Sequence, residues 1–266
     1  MKSRIISSVI ALLILIPITL KGGLIFNICA YVISLLGLKE LLDARAKKKE
    51  IPFTLTLFSY IFISLIILVD VSSVDIKYSL DYRILAALFL LFLVPTVLYH
   101  DKNKYSIVDA FYMIGSVLFL GISMALLIML RAYDLKLFIF LLTITITTDA
   151  FAYLTDYLIG KHKILKEIAS DKSLEGVIIG IIMGAFVSTA FYCTCINADV
   201  SVPLLLMIII CLSLIGWLGD CAFSVIKKHF GIKQFSNIIP GHGGILDRLD
   251  SIIFVILGFI FFITLI

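Results

Sequence analysis

The sequence predicts an all-α fold, a polytopic integral membrane helix bundle with about nine transmembrane helices. Three observations carry this reading. The chain of 266 residues is 62% hydrophobic and only 15% charged, with a mean hydropathy of +1.16. A soluble core of this size could not hide so much apolar surface, so the solvent is lipid. The apolar residues also fall into runs near the ~20 residues that a crossing helix needs. Finally, unpaired backbone in hydrocarbon costs several kcal/mol per group, which leaves helices as the economical way across.

The runs lie near 5–20, 23–41, 53–69, 84–99, 107–130, 136–159, 177–196, 202–223 and 252–266. The first has a basic start, Lys2 and Arg4, as a secretory leader does. However, "ITLKGG" lacks the small-x-small cleavage pattern and a second apolar run follows at once, so a retained helix is expected.

Charge orients the bundle. With the N-terminus in the cytoplasm, that side holds Lys2, Arg4, Lys39, Arg45, Lys47, Lys48, Lys49, Lys102, Lys104, Lys161, Lys163, Lys166, Lys172, Lys227, Lys228, Lys233 and Arg248, which is 17 of the 22 basic residues. The other side holds Lys21, Lys77, Arg83, Arg131 and Lys136. The excess of Lys and Arg fits the positive-inside rule, and the reverse orientation violates it. "ARAKKKE" reads as a topology anchor at an anionic lipid surface. Cys29, Cys193, Cys195, Cys211 and Cys221 form no C-x-x-C pair and read as small apolar helix residues. No internal repeat, low-complexity tract or soluble domain is evident.

Two cytoplasmic loops concentrate the polar residues: "KHKILKEIASDKSLEG" at 161–176 and "SVIKKHFGIKQFSNIIPGHGGILDRLDS" at 224–251. Each follows a run that carries acid where acid is expensive. Asp149 and Asp156 lie in "TTDAFAYLTDYLIG", and Asp220 lies in "GWLGDCAFS". A carboxylate within a spanning helix costs ~2.5–3.5 kcal/mol on insertion scales and is a functional candidate by default.

Asp149, Tyr153 and Asp156 fall at i, i+4 and i+7, on one helix face. Asp247 and Asp250 are three apart and share a face if the last helix has begun there. A helix cap would account for Asp250 alone, but not for two facing acids plus Asp220. Paired carboxylates beside several Lys and Arg suit a divalent cation and phosphate oxygens. Hard cations such as Mg²⁺ are held by one or two carboxylates plus substrate phosphates. The glycines of "GHGG" let the backbone approach a ligand closely.

These residues resemble the signature of the phosphatidate cytidylyltransferase (CDP-diacylglycerol synthase) family, roughly S-x-x-K-R, four residues, K-D, then H-G-G-x-x-D-R-x-D. Ser224, Lys227, Lys228, Lys233, Gln234, His242, Gly243, Gly244, Asp247, Arg248 and Asp250 stand at that spacing. "TDAFAYL…GKHKI" is similar to the family's D-x-x-A-Y segment followed by G-K. "SDKSLEG", with Lys172, Ser173, Glu175 and Gly176, is similar to its lysine segment. The similarity covers residues 145–266. Lys228 replaces the usual Arg, Gln234 the usual Asp, Phe223 a frequent acid and Ser170 the usual Pro. Lys228 keeps the charge but loses the bidentate fork, and Gln234 is not assigned to metal.

The resemblance implies cytidylyl transfer from CTP to phosphatidate, giving CDP-diacylglycerol and pyrophosphate for phospholipid synthesis. It implies Asp220, Asp247 and Asp250 as metal ligands and catalytic residues, with Lys227, His242 and Arg248 catalytic beside them. Lys172, Ser173, Ser224, Lys228, Lys233, Gly243, Gly244 and Asp149 would bind substrate. Mg²⁺ is the implied cofactor, with Mn²⁺ as a substitute and a monovalent cation left open. The implied partners are CTP, phosphatidate, the lipid bilayer and a second copy in a homodimer, with no nucleic acid. Residues 1–135 read as N-terminal transmembrane helices, and 136–266 as a C-terminal catalytic transmembrane region. The expected location is the plasma membrane, multi-pass, with the active site facing the cytoplasm.

Two other readings use the same residues. A CTP-dependent membrane lipid kinase would share the CTP-side chemistry but release CDP. An ion-coupled transporter predicts acids near the midplane and inverted repeats, whereas these acids cluster toward one face.

Overall fold

The computed structural model describes residues 13–70, 81–99, 105–165, 169–196, 200–239, 241 and 243–262. Among them the chain forms helices α1 (13–21), α2 (Gly23–Ala46), α3 (Phe53–Asp70), α4 (Tyr82–Leu98) and α5 (Ile107–Tyr133). Next come α6 (Leu135–Leu158), strands β1 (Lys163–Leu165) and β2 (Ala169–Ser173), then α7 (Leu174–Cys195), α8 (Val202–Phe230) and α9 (Leu246–Phe259). The helical expectation is met. By length and composition α2, α5, α6, α7 and α8 can cross a membrane, and α3 and α4 are shorter apolar helices.

The polar loops differ from expectation in three places. Residues 161–176 hold an antiparallel hairpin that pairs Lys163 with Ser173 and Leu165 with Ala169. The helical constraint binds only where lipid surrounds the backbone, and this segment is polar. α8 continues past 223 to Phe230, because its Lys and His residues sustain a helix that no longer shows as an apolar run. α9 begins at Leu246, before 252, so "LDRLD" is helical and Asp247 and Asp250 do share a helix face.

The chain divides into two compact units. The first contains the described residues up to Tyr133 and Phe230–Asp247. α5 is its centre, with α2, α3 and α4 all packed on it. Its entry is fixed by a reciprocal cap: the Ser106 amide donates to Asp109 at 2.9 Å and the Asp109 amide to the Ser106 hydroxyl at 3.4 Å. Buried Asp109 also pairs with Arg45 and, at 2.6 Å, with Lys49, so two cations of the expected lipid anchor serve helix packing. Phe92 and Met124 are core residues, whereas Phe89 is exposed. Arg131 donates to the carbonyls of Thr19 at 2.6 Å and Leu20 at 3.0 Å, capping the end of α1.

The second unit contains Asp134–His229 and the described residues from Arg248 onward. Asp134 starts α6 by accepting the amides of Lys136 and Leu137 at 2.5 and 3.2 Å. α6 and α7 make the most extensive helix pair among the described residues. Gly176, Gly180 and Gly184, spaced every four residues, form the contact face. A Cβ on Gly180 would stand 2.7 Å from the Thr148 carbonyl oxygen and 2.9 Å from the Ala152 Cβ. Small residues at this spacing let helices in lipid approach closely. Hydroxyls in these apolar helices bond back one turn, as Thr145 does to the Leu141 carbonyl at 3.0 Å.

Candidate active site

In the second unit, four elements bring acids and lysines together. The α8–α9 contact runs through glycine: a Cβ on Gly219 would meet Phe254 at 2.7 Å, and one on Gly216 would meet Val255 at 3.0 Å. Phe223 and Phe254 pack edge to face with centroids 6.4 Å apart. This close approach sets Asp220 on α8 and Asp250 on α9 within electrostatic reach of each other and of Asp149 on α6. The Ser251 hydroxyl hydrogen-bonds Asp149, and Thr148 bonds Ser213 at 3.2 Å, tying α6 to α8.

The cations are supplied by the hairpin and α8. Lys172 forms an ion pair with Asp220, both side chains being partly buried. Lys172 also acts on the charge of Asp149, and Lys227 on that of Asp250. Ser224 and Lys227 are half-buried on α8, Lys228 and Arg248 are exposed, and Ser173 is fully buried.

Lys172 is held in place from behind. Asp156 accepts the Ser173 amide at 2.8 Å and also the Ser173 hydroxyl. The Ser173 oxygen in turn accepts the Gly176 amide at 3.1 Å and caps α7. Glu175 accepts from the His162 backbone at 3.2 Å and bonds its Nδ1 at 2.5 Å, at an exposed position. Asp156 thus holds Ser173, the residue that caps α7.

In the first unit, Asp247 belongs to the glycine turn. Its Oδ2 accepts the amides of Phe235 at 3.0 Å and Gly244 at 2.9 Å. Gly243 has φ +89, a left-handed conformation that favours glycine, and pairs with Ile239 as an isolated antiparallel bridge. Lys233 and Gln234 are exposed on the same segment. His242 lies outside the described residues, as do Lys2, Arg4, Lys77, Lys102, Lys104 and Lys166.

Sequence reasoning missed Glu40, which is buried on α2 and accepts the amides of Ile245 and Leu246 at 2.8 and 2.9 Å. The signal was present: Glu40 is an acid in an apolar helix, the same rule that marked Asp149. The four-residue spacing of Gly176, Gly180 and Gly184 was likewise legible.

Among the described residues, no three His, Cys, Asp or Glu side chains form a metal cage by themselves. The second unit's donors, Asp149, Asp220 and Asp250, are all carboxylates. Mg²⁺ takes oxygen ligands and commonly draws most of them from water and substrate phosphates, so the donor chemistry fits an open site of that kind.

Carboxylates and lysines gathered on the helices and hairpin of an apolar bundle form a set suited to phosphate oxygens and a hard divalent cation. The model of the Cytidylyltransferase family matches residues 2–266. The phosphatidate cytidylyltransferase of Staphylococcus epidermidis (strain RP62A) is 37% identical over 257 residues, covering 96% of each chain. Proteins of the same name from Staphylococcus aureus (strain COL) and Staphylococcus saprophyticus are 36% and 35% identical over the same share. The chain belongs to the cytidylyltransferase family and is a nucleotidyltransferase.

Proposed function

We propose that this enzyme transfers the cytidylyl group of CTP to phosphatidate, releasing pyrophosphate and forming CDP-diacylglycerol for phospholipid synthesis. The observation that carries this reading is the match to phosphatidate cytidylyltransferases over 96% of both chains. The Lys172–Asp220 pair among further acids supports it.

The lipid phosphate is already ionised at neutral pH, so the reaction needs no strong general base. A phosphate oxygen attacks the α-phosphorus of CTP, the bond to the bridging oxygen of the β-phosphate breaks, and pyrophosphate leaves with its electron pair. What the protein supplies is alignment and neutralisation of crowded negative charge. Lys172, Lys227, Lys228, Lys233 and Arg248 are the proposed phosphate-holding cations. Ser173, Ser224, Gly243, Gly244 and Asp149 complete the proposed substrate-binding set, and His242 is proposed to orient a phosphate oxygen. Asp220, Asp247 and Asp250 are the proposed ligands of Mg²⁺, which when bound supplies charge neutralisation to the phosphates.

The proposal extends to about nine crossings, residues 136–266 as the catalytic region, a plasma-membrane location, an active site facing the cytoplasm and assembly as a homodimer. The excess of basic residues on one side supports the orientation.

The test is a product assay on purified protein with phosphatidate and CTP labelled in its α-phosphate. Label in CDP-diacylglycerol with one pyrophosphate per turnover supports the reading. Release of labelled CDP identifies a lipid kinase, and no turnover with ion-driven flux identifies a transporter.

A further inference from the structure

We infer that Glu40 is a positioning residue of this transferase, holding the Gly243–Leu246 turn from which Asp247 is presented. Glu40 lies on α2 and is 1% exposed. A carboxylate so buried is costly unless hydrogen bonds meet its charge. Its two oxygens accept three: from the Ser236 hydroxyl at 2.5 Å, the Ile245 amide at 2.8 Å and the Leu246 amide at 2.9 Å. The last two donors open α9, where the positive end of the helix dipole favours an anion.

The geometry exceeds what a helix cap requires. Ser236 and Leu246 lie at opposite ends of the glycine loop, and Glu40 holds both. Gly244 has no room for a side chain, because a Cβ there would stand 2.6 and 2.7 Å from the two carboxylate oxygens of Glu40. The amide of the same Gly244 donates to Asp247, and the amide of Gly243 donates to the Ile239 carbonyl at 3.2 Å. The amides of Gly243, Gly244, Ile245 and Leu246 are therefore all engaged within the protein. The turn is fixed from inside, and the glycine at 244 makes room for Glu40. A short chain of bonds leads from Glu40 through this turn to the Asp247 carboxylate.

This inference rests on the proposed role of Asp247. It is tested on the purified full-length protein with Glu40→Gln, Ser236→Ala and Asp247→Asn in parallel. Steady-state kinetics would be measured at varied CTP and Mg²⁺. Backbone hydrogen exchange over residues 243–250 would be measured without divalent ions. Glu40→Gln keeps the shape and removes the charge. It should lower kcat between about 10- and 100-fold, the scale of a small misplacement of a reacting group. KM for CTP should change little, the Mg²⁺ concentration for half-maximal rate should rise, and the Ile245 and Leu246 amides should exchange faster. Ser236→Ala removes one of the three bonds and should shift the same quantities less; it decides the matter alone if Glu40→Gln fails to accumulate. Wild-type kcat and Mg²⁺ dependence in these variants, with Asp247→Asn inactive, overturns the role of Glu40 alone. A fully active Asp247→Asn overturns the role of Asp247 and, with it, this route from Glu40 to the reaction.

Discussion

Lys172 on the second strand of the hairpin forms an ion pair with Asp220 on α8, both side chains being partly shielded from solvent. Removing one partner of a shielded pair strands the other's charge, and removing a phosphate-holding cation strips the transition state of stabilisation. Lys172→Ala should lower kcat/KM by at least about 100-fold, the scale seen when one aimed donor is lost. The measurement is cytidylyl transfer per milligram of inserted protein. Near wild-type activity would reduce Lys172 to a topology charge.

Asp247→Asn preserves shape while removing the charge. It should nearly abolish turnover and leave membrane insertion unchanged, since loss of an expensive charge does not harm partitioning. Wild-type activity should require Mg²⁺ or Mn²⁺ and vanish in EDTA. Ca²⁺, larger and looser in geometry, should support it poorly. Full activity in EDTA would end the metal assignment.

Asp156 holds Ser173 through its amide and hydroxyl. Asp156→Ala leaves both donors without their acceptor, and hydrogen bonds to a charged group are worth about 1.5–3 kcal/mol. The variant should unfold several degrees lower in detergent and lose activity through the misplaced Lys172 segment. An unchanged melting temperature and rate would refute this role.

Gly180 lies where a Cβ would stand 2.7 Å from the Thr148 carbonyl oxygen. Gly180→Val forces α6 and α7 apart and should cost about 1–3 kcal/mol, the usual penalty of overpacking. Thermal unfolding of the purified protein checks this. A substitution on the exposed side of the same helix, Ile182→Val, should leave the midpoint close to wild type.

The split of basic residues, 17 against 5, gives a test of orientation. A reporter fused after Ile266 should lie outside the cytoplasm, and one inserted at 43–50 should lie inside. Finding both on one side would refute about nine crossings.

The sequence by itself determined the helical class and the approximate place of the apolar helices among the described residues, because hydropathy over a run of neighbours depends on nothing distant. It also determined the family, through the ordered spacing of Ser224, Lys227, His242, Gly243, Gly244, Asp247, Arg248 and Asp250. Helix ends were less legible. α8 runs on to Phe230 through residues that are polar yet helix-compatible, so its apolar signal stops before its hydrogen bonds do. Only the tertiary structure decided who meets whom. Glu40 and Leu246 are far apart in sequence, and no local period encodes the bond between them. The same holds for Asp156 with Ser173 and for Lys172 with Asp220. A buried carboxylate must find donors wherever the packed helices bring them, and that choice belongs to the fold.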